Sequence, residues 1–387
     1  MSMNTVLEEL RGNGRQMKEW LYHMHRHPEL AFQESQTAAY ISALVKSWGY
    51  EVVEGVGKTG FVASMTVGAG EGAIGLRADM DALPIQEGDK LEYRSRHDGV
   101  AHLCGHDAHS TMLLGAAEYL ARTRNFNGTV RLIFQPAEET MGGGNAMIAD
   151  GLFERFPVDA VFGLHNMPGL ARGKLHFRDG QIMAAVDNWE IELTGKGSHG
   201  AMPELGIDPI VAGASLIMAL QTIVSRNVSP FNRAVVTVGA FLSGKAANVV
   251  AERAILRVSI RTTTVEDRPM VLGRVRAITK AQAEAFGCKC EILEGAPGAL
   301  LLNDPGETAK AAKIAREAFG EENVIYPGPD ILGSEDFAFM LQKKKGTYCF
   351  LGNGDTPMVH NPDYVFDTEN LPIGATYWVT LVEQYLR

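Results

Sequence analysis

The chain has 387 residues, and its formal net charge of −10 comes from 36 Lys and Arg against 46 Asp and Glu. With 45% hydrophobic and 21% charged residues it has the composition of a globular protein of two or three domains, which excludes a disordered, collagenous or coiled-coil chain. Net acidity argues against nucleic acid or an anionic membrane as the main partner, since both need a basic surface, and favours a small-molecule substrate.

The N-terminal segment carries no apolar run behind a basic stretch, and no part of the sequence reaches the roughly 18 apolar residues of a membrane span. The cysteines are too few and too irregularly spaced for a disulfide framework. They are Cys104, Cys288, Cys290 and Cys349. We therefore predict a cytoplasmic protein with reduced thiols and no membrane partner.

Helices and strands alternate in the first part of the chain. Apolar residues at helical spacing predict helices over 6–25 and 35–48. The pattern then predicts apolar strands and further helices, the strands at 61–67, 73–78, 130–135 and 160–165 and the helices at 110–122 and 145–153. Strands separated by helices are typical of a mostly parallel sheet covered by helices, so we predict an α/β fold.

The middle of the chain has a different order. A strand at 188–194 is followed by a helix, two strands, a helix and a strand, at 207–224, 234–241, 254–261, 265–286 and 288–293. This β-α-β-β-α-β order predicts a ferredoxin-like α+β domain. We predict that it is inserted at 186–296 between two parts of the first domain, 1–185 and 297–387. The first domain resumes with helices at 307–319 and 370–386 and a strand at 347–351.

Polar clusters follow three of the predicted strands, where open α/β sheets place their ligands. Asp79 and Asp81 follow the strand at 73–78, and two acids there can bind a metal or orient a histidine. Glu138 and Glu139 follow another strand, and one glutamate can bind a metal while its neighbour takes a proton from water. His165 ends a third strand. Alone, the two aspartates fit an acidic turn equally well, while paired glutamates are more often a solvated turn and a lone histidine is more often a structural residue.

The richest cluster is His102-Leu-Cys-Gly-His-Asp-Ala-His109, before the predicted helix at 110–122. One glycine separates Cys104 from His106, so both side chains can turn to one site, and a thiolate with an imidazole suits zinc. His360 follows the strand at 347–351. The candidate ligands are Cys104, His106, Glu139, His165 and His360. Five ligands exceed one tetrahedral site, so we predict two metal ions and hydrolytic chemistry.

His23, His25 and His27 end the first predicted helix. Only His23 and His27 share a helical face, and no acid-rich partner is evident in the sequence. We interpret the three as a solvated stripe.

Taken together, the motifs resemble those of the M20 family of metallopeptidases and amidohydrolases, specifically the aminoacylase-like branch with hippurate hydrolases and indole-acetyl-amino-acid hydrolases. The resemblance runs nearly end to end. It rests on His27-Pro-Glu-Leu30, Arg77-Ala-Asp-Met-Asp-Ala-Leu-Pro84, Cys104-Gly-His-Asp107, Phe134-Gln-Pro-Ala-Glu-Glu139, Gly163-Leu-His165, Gly197-Ser-His-Gly200, Gly333-Ser-Glu-Asp-Phe337 and His360-Asn-Pro362.

The resemblance implies a di-metal exopeptidase-like catalytic domain. Glu138 would be the general base and Asp81 would orient a ligand histidine. The ligands of two divalent ions, zinc, manganese or cobalt, would be Cys104, His106, Glu139, His165 and His360. His199 would polarise the scissile carbonyl, reaching the metals of the partner subunit, while Asn248 and Arg261 would hold the substrate carboxylate. From the sequence pattern alone, all three of these inserted-domain residues are compatible with solvated positions.

The expected reaction is hydrolysis of an N-acyl amino acid, with an N-acetyl, N-benzoyl or indole-acetyl group, to a carboxylic acid and a free amino acid. Two alternatives stay open: a dipeptidase or carboxypeptidase on the same scaffold, and a catalytically silent metal-containing binding protein. We expect a homodimer through the inserted domain, because its sheet has exposed edges to cover.

Overall fold

The computed structural model describes residues 3–387 and divides into two compact units. The larger unit extends to Ile182 and resumes over Leu302–Asp330 and Asp336–Arg387. The smaller unit comprises Met183–Leu301 and Ile331–Glu335. That 186–296 folds as a domain in its own right stays a prediction.

The structure contains the predicted strands and several further short ones. They are β1 (Glu51–Glu54), β2 (Phe61–Val67), β3 (Ala73–Asp79), β4 (Gly128–Gln135), β5 (Ala160–Met167), β6 (Leu175–His176), β7 (Gly180–Met183), β8 (Ala185–Thr194), β9 (Ser198–His199), β10 (Ala234–Ser243), β11 (Val249–Val250), β12 (Arg253–Thr262), β13 (Lys289–Glu294), β14 (Leu301–Asn303), β15 (Val324–Ile325) and β16 (Gly346–Gly352).

The α-helices lie between these strands and at both ends of the described chain. They are α1 (Met3–Gly12), α2 (Gly14–Arg26), α3 (Ser35–Ser47), α4 (His106–Thr123), α5 (Gly143–Ala149), α6 (Leu152–Arg155), α7 (Pro209–Asn227), α8 (Asp267–Ala285), α9 (Pro305–Phe319), α10 (Phe337–Leu341) and α11 (Leu371–Tyr385). The single helix predicted over 6–25 is two helices, α1 and α2, which end and begin at the glycines Gly12 and Gly14.

The larger unit is built on an eight-stranded sheet in the order β1-β2-β4-β3-β5-β16-β6-β15. Its central pairs, β4 with β3, β3 with β5 and β5 with β16, are parallel, and helices pack on the sheet. All eight residues of β5 are buried, as expected for a strand covered on both faces. The predicted α/β fold with a mostly parallel sheet is confirmed.

The parallel register brings the carboxyl ends of the central strands to one edge of the sheet. Asp79, which ends β3, lies beside Gln135, which ends β4, and Met167 ends β5. The polar clusters that follow these strands therefore emerge side by side, at the edge where α/β folds place their ligands.

The smaller unit contains an antiparallel sheet in the order β10-β12-β8-β13, together with α7 and α8. Its elements follow the predicted β-α-β-β-α-β order. Trp189 and Leu256 of the sheet share a core with Leu216 of α7 and Val271 of α8. Within residues 3–387, α7 is the one helix long and apolar enough to cross a membrane by length and composition. We interpret it as a helix that packs on this core with one face, because Ala212, Leu216, Leu220 and Ile223 lie in the core while Val211 and Met218 are exposed.

Candidate active site

The five candidate ligands lie in one cluster beside the carboxyl edge of the larger sheet. The Sγ atom of Cys104 lies 3.4 Å from Nε2 of His165, and Nε2 of His360 lies 3.4 Å from Oε2 of Glu139. Nε2 of His106 lies 3.9 Å from Oε1 of Glu139. Two groups consist entirely of these candidate ligands, each with its donor atoms within 4.8 Å of one another: Cys104, His106 and His165, and Cys104, Glu139 and His360. The two groups share Cys104.

Two donor atoms in this cluster have unmet bonding capacity. Within the described chain, Nε2 of His106 and Oε1 of Glu139 are buried and make no hydrogen bond. A buried polar atom without a partner costs about 1–3 kcal/mol, and a cation between the two would satisfy both. Thiolate, imidazole and carboxylate donors suit a divalent transition metal. The residues present therefore fit the metal ions that the sequence predicts.

Backbone carbonyls orient the two central histidine ligands. Nδ1 of His106 donates to the carbonyl oxygen of Asp81 at 2.9 Å, and Nδ1 of His165 donates to the carbonyl oxygen of Asn166. When each ring binds a cation as the neutral imidazole, the proton on Nδ1 leaves Nε2 with the lone pair that faces the cluster. The rings are thus oriented for binding a cation before one arrives.

Asp81 connects His106 to the turn that carries the two glutamates. Its Oδ1 lies 3.2 Å from Nδ1 of His106 and accepts a hydrogen bond from the backbone N–H of Glu138 at 3.0 Å. Its Oδ2 accepts from the N–H of Glu139, also at 3.0 Å. One carboxylate thereby fixes a candidate ligand and both glutamates relative to each other. Oε2 of Glu138 lies 3.9 Å from Nε2 of His106, at the border of the donor cluster.

The electrostatic environment of the cluster opposes an isolated thiolate. Burial, with the nearby Glu139 carboxylate, raises the pKa of the Cys104 thiol well above its usual range. Burial also lowers the pKa of His165 well below its usual range, and the neighbouring His109 adds to this effect. A bound divalent cation would reverse the preference of Cys104, because its positive charge stabilises a thiolate, and it would reinforce the neutral form of His165.

A buried ionic network lies at the ends of β3 and β4. Arg77 donates to Oδ2 of Asp79 at 2.7 Å and to Oε1 of Gln135 at 2.9 Å, and its Nη2 lies 3.2 Å from Oδ1 of Asp336. Oδ1 of Asp79 also bonds Nδ1 of His109 at 2.7 Å. Burial would raise the pKa of Asp79, but the charges of His106 and Arg77 hold it well below its usual range. The network anchors both strand ends that lead into the cluster.

The three predicted residues of the inserted domain lie in the smaller unit at two places. His199, in β9, pairs with Val249 of β11, and the carbonyl of the adjacent Asn248 accepts a hydrogen bond from the Gly200 N–H at 2.8 Å. His199 and Asn248 are therefore neighbours. Arg261 lies near the carboxyl end of β12. It is half-buried and donates a hydrogen bond to the carbonyl oxygen of Leu332 at 2.8 Å. The structure does not bring Arg261 next to the other two.

Residues 75–384 match the model of Peptidase family M20/M25/M40. The chain is 43% identical to a hippurate hydrolase of Campylobacter jejuni over the full length of both chains. It is 40% identical to an N-acetyl-L-cysteine deacetylase of Bacillus subtilis, with 92% of this chain and 85% of the relative covered.

The chain belongs to peptidase family M20/M25/M40. A solved M20 structure, the Bacillus subtilis YXEP protein described as a dinuclear metal-binding peptidase, superposes with a TM-score of 0.82 at 31% identity, covering 97% of this chain and 99% of the other. The predicted aminoacylase-like M20 resemblance is confirmed, and so is the predicted enzyme class, an amidohydrolase.

The structure places His25 in the interior of this M20 chain, contrary to the prediction of a solvated position. The ring is buried, with Nδ1 at 2.7 Å from Oδ2 of Asp107 and Nε2 at 2.7 Å from Oε1 of Glu87. Our interpretation of His25 as part of a solvated stripe is therefore wrong, because two carboxylates distant in sequence reach it in the fold. Asp107 directly follows the candidate ligand His106, so His25 anchors the first turn of α4.

The pH dependence of stability should report this contact. Burial would lower the pKa of His25, but hydrogen bonds with Asp107 and Glu87 outweigh it and raise the pKa to about 9. Because the folded pKa exceeds the unfolded value of 6.5, the stabilisation is fully present below pH 6.5 and is lost as the pH rises through 9. We expect the stability difference between wild type and His25→Gln to shrink by on the order of 3 kcal/mol across that window.

Urea unfolding of both proteins at several pH values measures this difference. His27→Gln is a suitable control, because the His27 ring, just after α2, contacts the backbone carbonyl of His23 and is partly exposed. A difference for His25→Gln that stays constant from pH 6 to pH 10 would contradict the expectation.

Proposed function

We propose that the protein is a metal-dependent amidohydrolase that cleaves N-acyl amino acids to a carboxylic acid and a free amino acid. One observation carries the proposal: two groups of donor atoms share Cys104, and Glu138 lies at their border. The relatives named for hippurate hydrolysis and N-acetylcysteine deacetylation support this substrate class, since both names describe an acyl group on an amino-acid nitrogen.

Glu138 is the proposed proton carrier. When bound by Cys104, His106, Glu139, His165 and His360, two divalent ions would supply a Lewis acid that polarises the amide carbonyl and acidifies water. The Glu138 carboxylate accepts a proton from the attacking water while the water oxygen forms a bond to the carbonyl carbon. It then delivers that proton to the amide nitrogen as the carbon–nitrogen bond breaks. Asp81 keeps Glu138 in place through the backbone hydrogen bond described above.

The smaller unit supplies the proposed substrate contacts. His199 is exposed, and its Nδ1 accepts a hydrogen bond from the Ala201 N–H, which leaves Nε2 available to hold the developing oxyanion. Arg261 has donors free for the α-carboxylate, because its single described hydrogen bond uses Nη1 only. Asn248, as a neighbour of His199, would add an amide donor to the substrate carboxylate in the partner copy's active site.

The spacing of these residues favours a dimer. A strand rises about 3.3 Å per residue, so the two ends of β12 at Arg253 and Arg261 are separated by roughly 25 Å. The Gly195 N–H bonds the carbonyl of Glu252, which places the His199 segment at the Arg253 end. One N–acyl amino acid is too short to reach from there to Arg261. We therefore propose that the two ends serve different active sites of a homodimer.

The two edge strands of the smaller sheet differ in charge, and this difference indicates which of them forms the dimer contact. The edge strand β10 has ten residues and no charged side chain, whereas β13, at the other edge, carries Lys289, Glu291 and Glu294. Charged side chains protect an edge strand from pairing, and a long uncharged edge invites it. We propose that β10 of one copy pairs with β10 of a second copy.

A lysine placed on β10 tests the dimer. Thr237 is exposed on β10. Thr237→Lys is expected to convert the protein to a monomer at micromolar concentration, because two like charges would meet across the paired edges. Leu293→Lys adds the same charge on β13 and should leave the dimer intact. Sedimentation velocity gives the mass of each variant. A monomeric wild type, or a dimer lost equally in both variants, contradicts the proposal.

The substrate class is tested by amino-acid release from N-acetyl, N-benzoyl and indole-acetyl amino acids and from dipeptides. We expect chelated protein to be inactive, and reloading with zinc, manganese or cobalt to restore cleavage of the acyl conjugates. Cleavage of dipeptides alone would assign the chain to the peptidases instead. Tight binding of conjugates without product release would support a silent binding protein.

We also propose the cytoplasm as the compartment of this enzyme. All four cysteines are free thiols, and three of them are buried. Reduced thiols persist in a reducing cytoplasm, whereas exported proteins tend to pair theirs. Recovery of the native enzyme in the cytosolic fraction, with no other fraction enriched, is the expected result of cell fractionation.

A further inference from the structure

The turn that carries Glu138 and Glu139 is held by two buried carboxylates. Three successive backbone N–H groups donate to them: that of Ala137 to Oε1 of Glu34 at 2.8 Å, and those of Glu138 and Glu139 to Asp81. Successive N–H groups of this kind form a concave site for an anion. The sequence motifs assign a role to Asp81 and none to Glu34.

The backbone of this turn needs such support. Ala137 has φ +53°, in the left-handed region that residues with a Cβ rarely occupy. A strained residue of this kind persists only where its surroundings fix it. The Ala137 N–H, which lies directly before Glu138, is fixed by Glu34.

Glu34 joins three separate segments of the larger unit. Its side chain is fully buried, and Oε1 accepts a second hydrogen bond, from the Phe32 N–H at 3.0 Å. Oε2 accepts from the hydroxyl of Thr59 at 2.5 Å. The carboxylate is therefore anchored on two sides before it reaches Ala137, and it can transmit that rigidity to the turn.

We propose that Glu34 is a positioning residue for the hydrolytic reaction, which directs the Glu138 carboxylate through the Ala137 amide. The inference rests on the proposed role of Glu138 as the proton carrier. Without Glu34, the turn relaxes at Ala137 and the Glu138 carboxylate loses its fixed direction. Substrate contacts in the smaller unit are untouched by this change.

Removal of the carboxylate should lower turnover and leave substrate affinity unchanged. We expect Glu34→Ala to lower kcat roughly 100-fold, the size of effect produced by a misplacement of about 1 Å, with KM within about twofold. Glu34→Gln should recover most of this loss, because its amide oxygen can still accept from Ala137 while its NH₂ donates to the Thr59 hydroxyl. A purely structural role predicts a lower free energy of unfolding with unchanged kcat in the folded protein.

Glu29 offers a matched control from the same segment. Its Oε2 accepts hydrogen bonds from the N–H groups of Gln36 and Thr37 at 3.0 and 2.8 Å, so it stabilises the first turn of α3 and does not touch the glutamate turn. Glu29→Ala should therefore lower stability without lowering kcat. Equal loss of kcat in Glu29→Ala and Glu34→Ala would overturn the proposal.

A double-mutant cycle tests whether Glu34 acts through Glu138. In a Glu138→Gln background, Glu34→Ala should lower the residual rate no further, whereas an independent role predicts another 100-fold loss. Elemental analysis of bound metal is measured in parallel, and unchanged metal content in Glu34→Ala is expected. Reduced metal content would show that the loss of kcat arises through Glu139 and would overturn a role through Glu138.

The outcomes separate this inference from the proposed function. If wild type cleaves no N-acyl amino acid, or Glu138→Gln keeps full activity, the proposed function itself fails. If Glu138→Gln is inactive while Glu34→Ala keeps wild-type kcat, only the role of Glu34 is overturned. Should Glu34→Ala not fold, Thr59→Val removes one anchor of the carboxylate and should lower kcat several-fold with KM unchanged. An unchanged kcat in that variant would then reject the role of Glu34.

Discussion

Glu138→Gln is expected to lower kcat for N-acyl amino acid hydrolysis by roughly 1,000-fold, because a positioned general base contributes about 100- to 10,000-fold. The glutamine has nearly the same shape but accepts no proton at neutral pH. Its backbone N–H can still bond Asp81, so the turn and the candidate ligands should stay in place. Steady-state kinetics with an N-benzoyl or N-acetyl amino acid measures the effect.

Glu139→Gln is the control that separates loss of the proton carrier from loss of a candidate metal ligand. Glu139 belongs to the donor group with Cys104 and His360, so its variant should lose both bound metal and activity. Glu138→Gln should lose activity while retaining metal. Full turnover by metal-loaded Glu138→Gln would show that another group carries the proton.

Arg77→Met should destabilise the protein by about 3–5 kcal/mol, since it removes the counter-ion of buried carboxylates. Arg77 is 1% exposed, and its loss would leave the charges of Asp79 and Asp336 without its guanidinium. The desolvation of those charges is retained while the compensating ion pair is lost. Urea unfolding at neutral pH gives the difference in free energy of unfolding.

Arg15→Met is the matched control for that measurement. Arg15 pairs with Glu19 on the surface, with 93% of its side chain exposed. Exposed pairs contribute at most about 1 kcal/mol, so this variant should remain close to wild type. Equal stability changes in the two variants would show that the network around Arg77 is not a stabilising ion cluster.

Local patterns in the sequence predicted most of the larger elements. The strand predicted at 61–67 coincides with β2, and the helix predicted at 35–48 ends within a residue of α3. The strands β6 and β15 were not predicted, because two residues are too few to show a period. Their conformation comes from neighbouring strands and not from their own composition.

Donor chemistry and strand position in the sequence are sufficient to predict the candidate ligands. Cys104, Glu139 and His165 have the side chains that metals bind, and they follow or precede regular elements. The supporting residues lack such a signal. In the sequence, Glu34 is an acidic residue before a helix, a position that indicates no particular function. Its contact with Ala137 depends on how segments about 100 residues apart meet in the fold.

The donor cluster also constrains the order in which the chain can mature. Cys104 and His360 are separated by most of the sequence, so their donor atoms meet only after the central strands of the larger sheet have paired. A chain in which this pairing is incomplete therefore does not offer a cation all five candidate donors. The free energy of metal binding would then be added to the finished native state, where it would slow unfolding and leave the rate of folding unchanged. Metal bound at all five donors would thus mark the completion of folding.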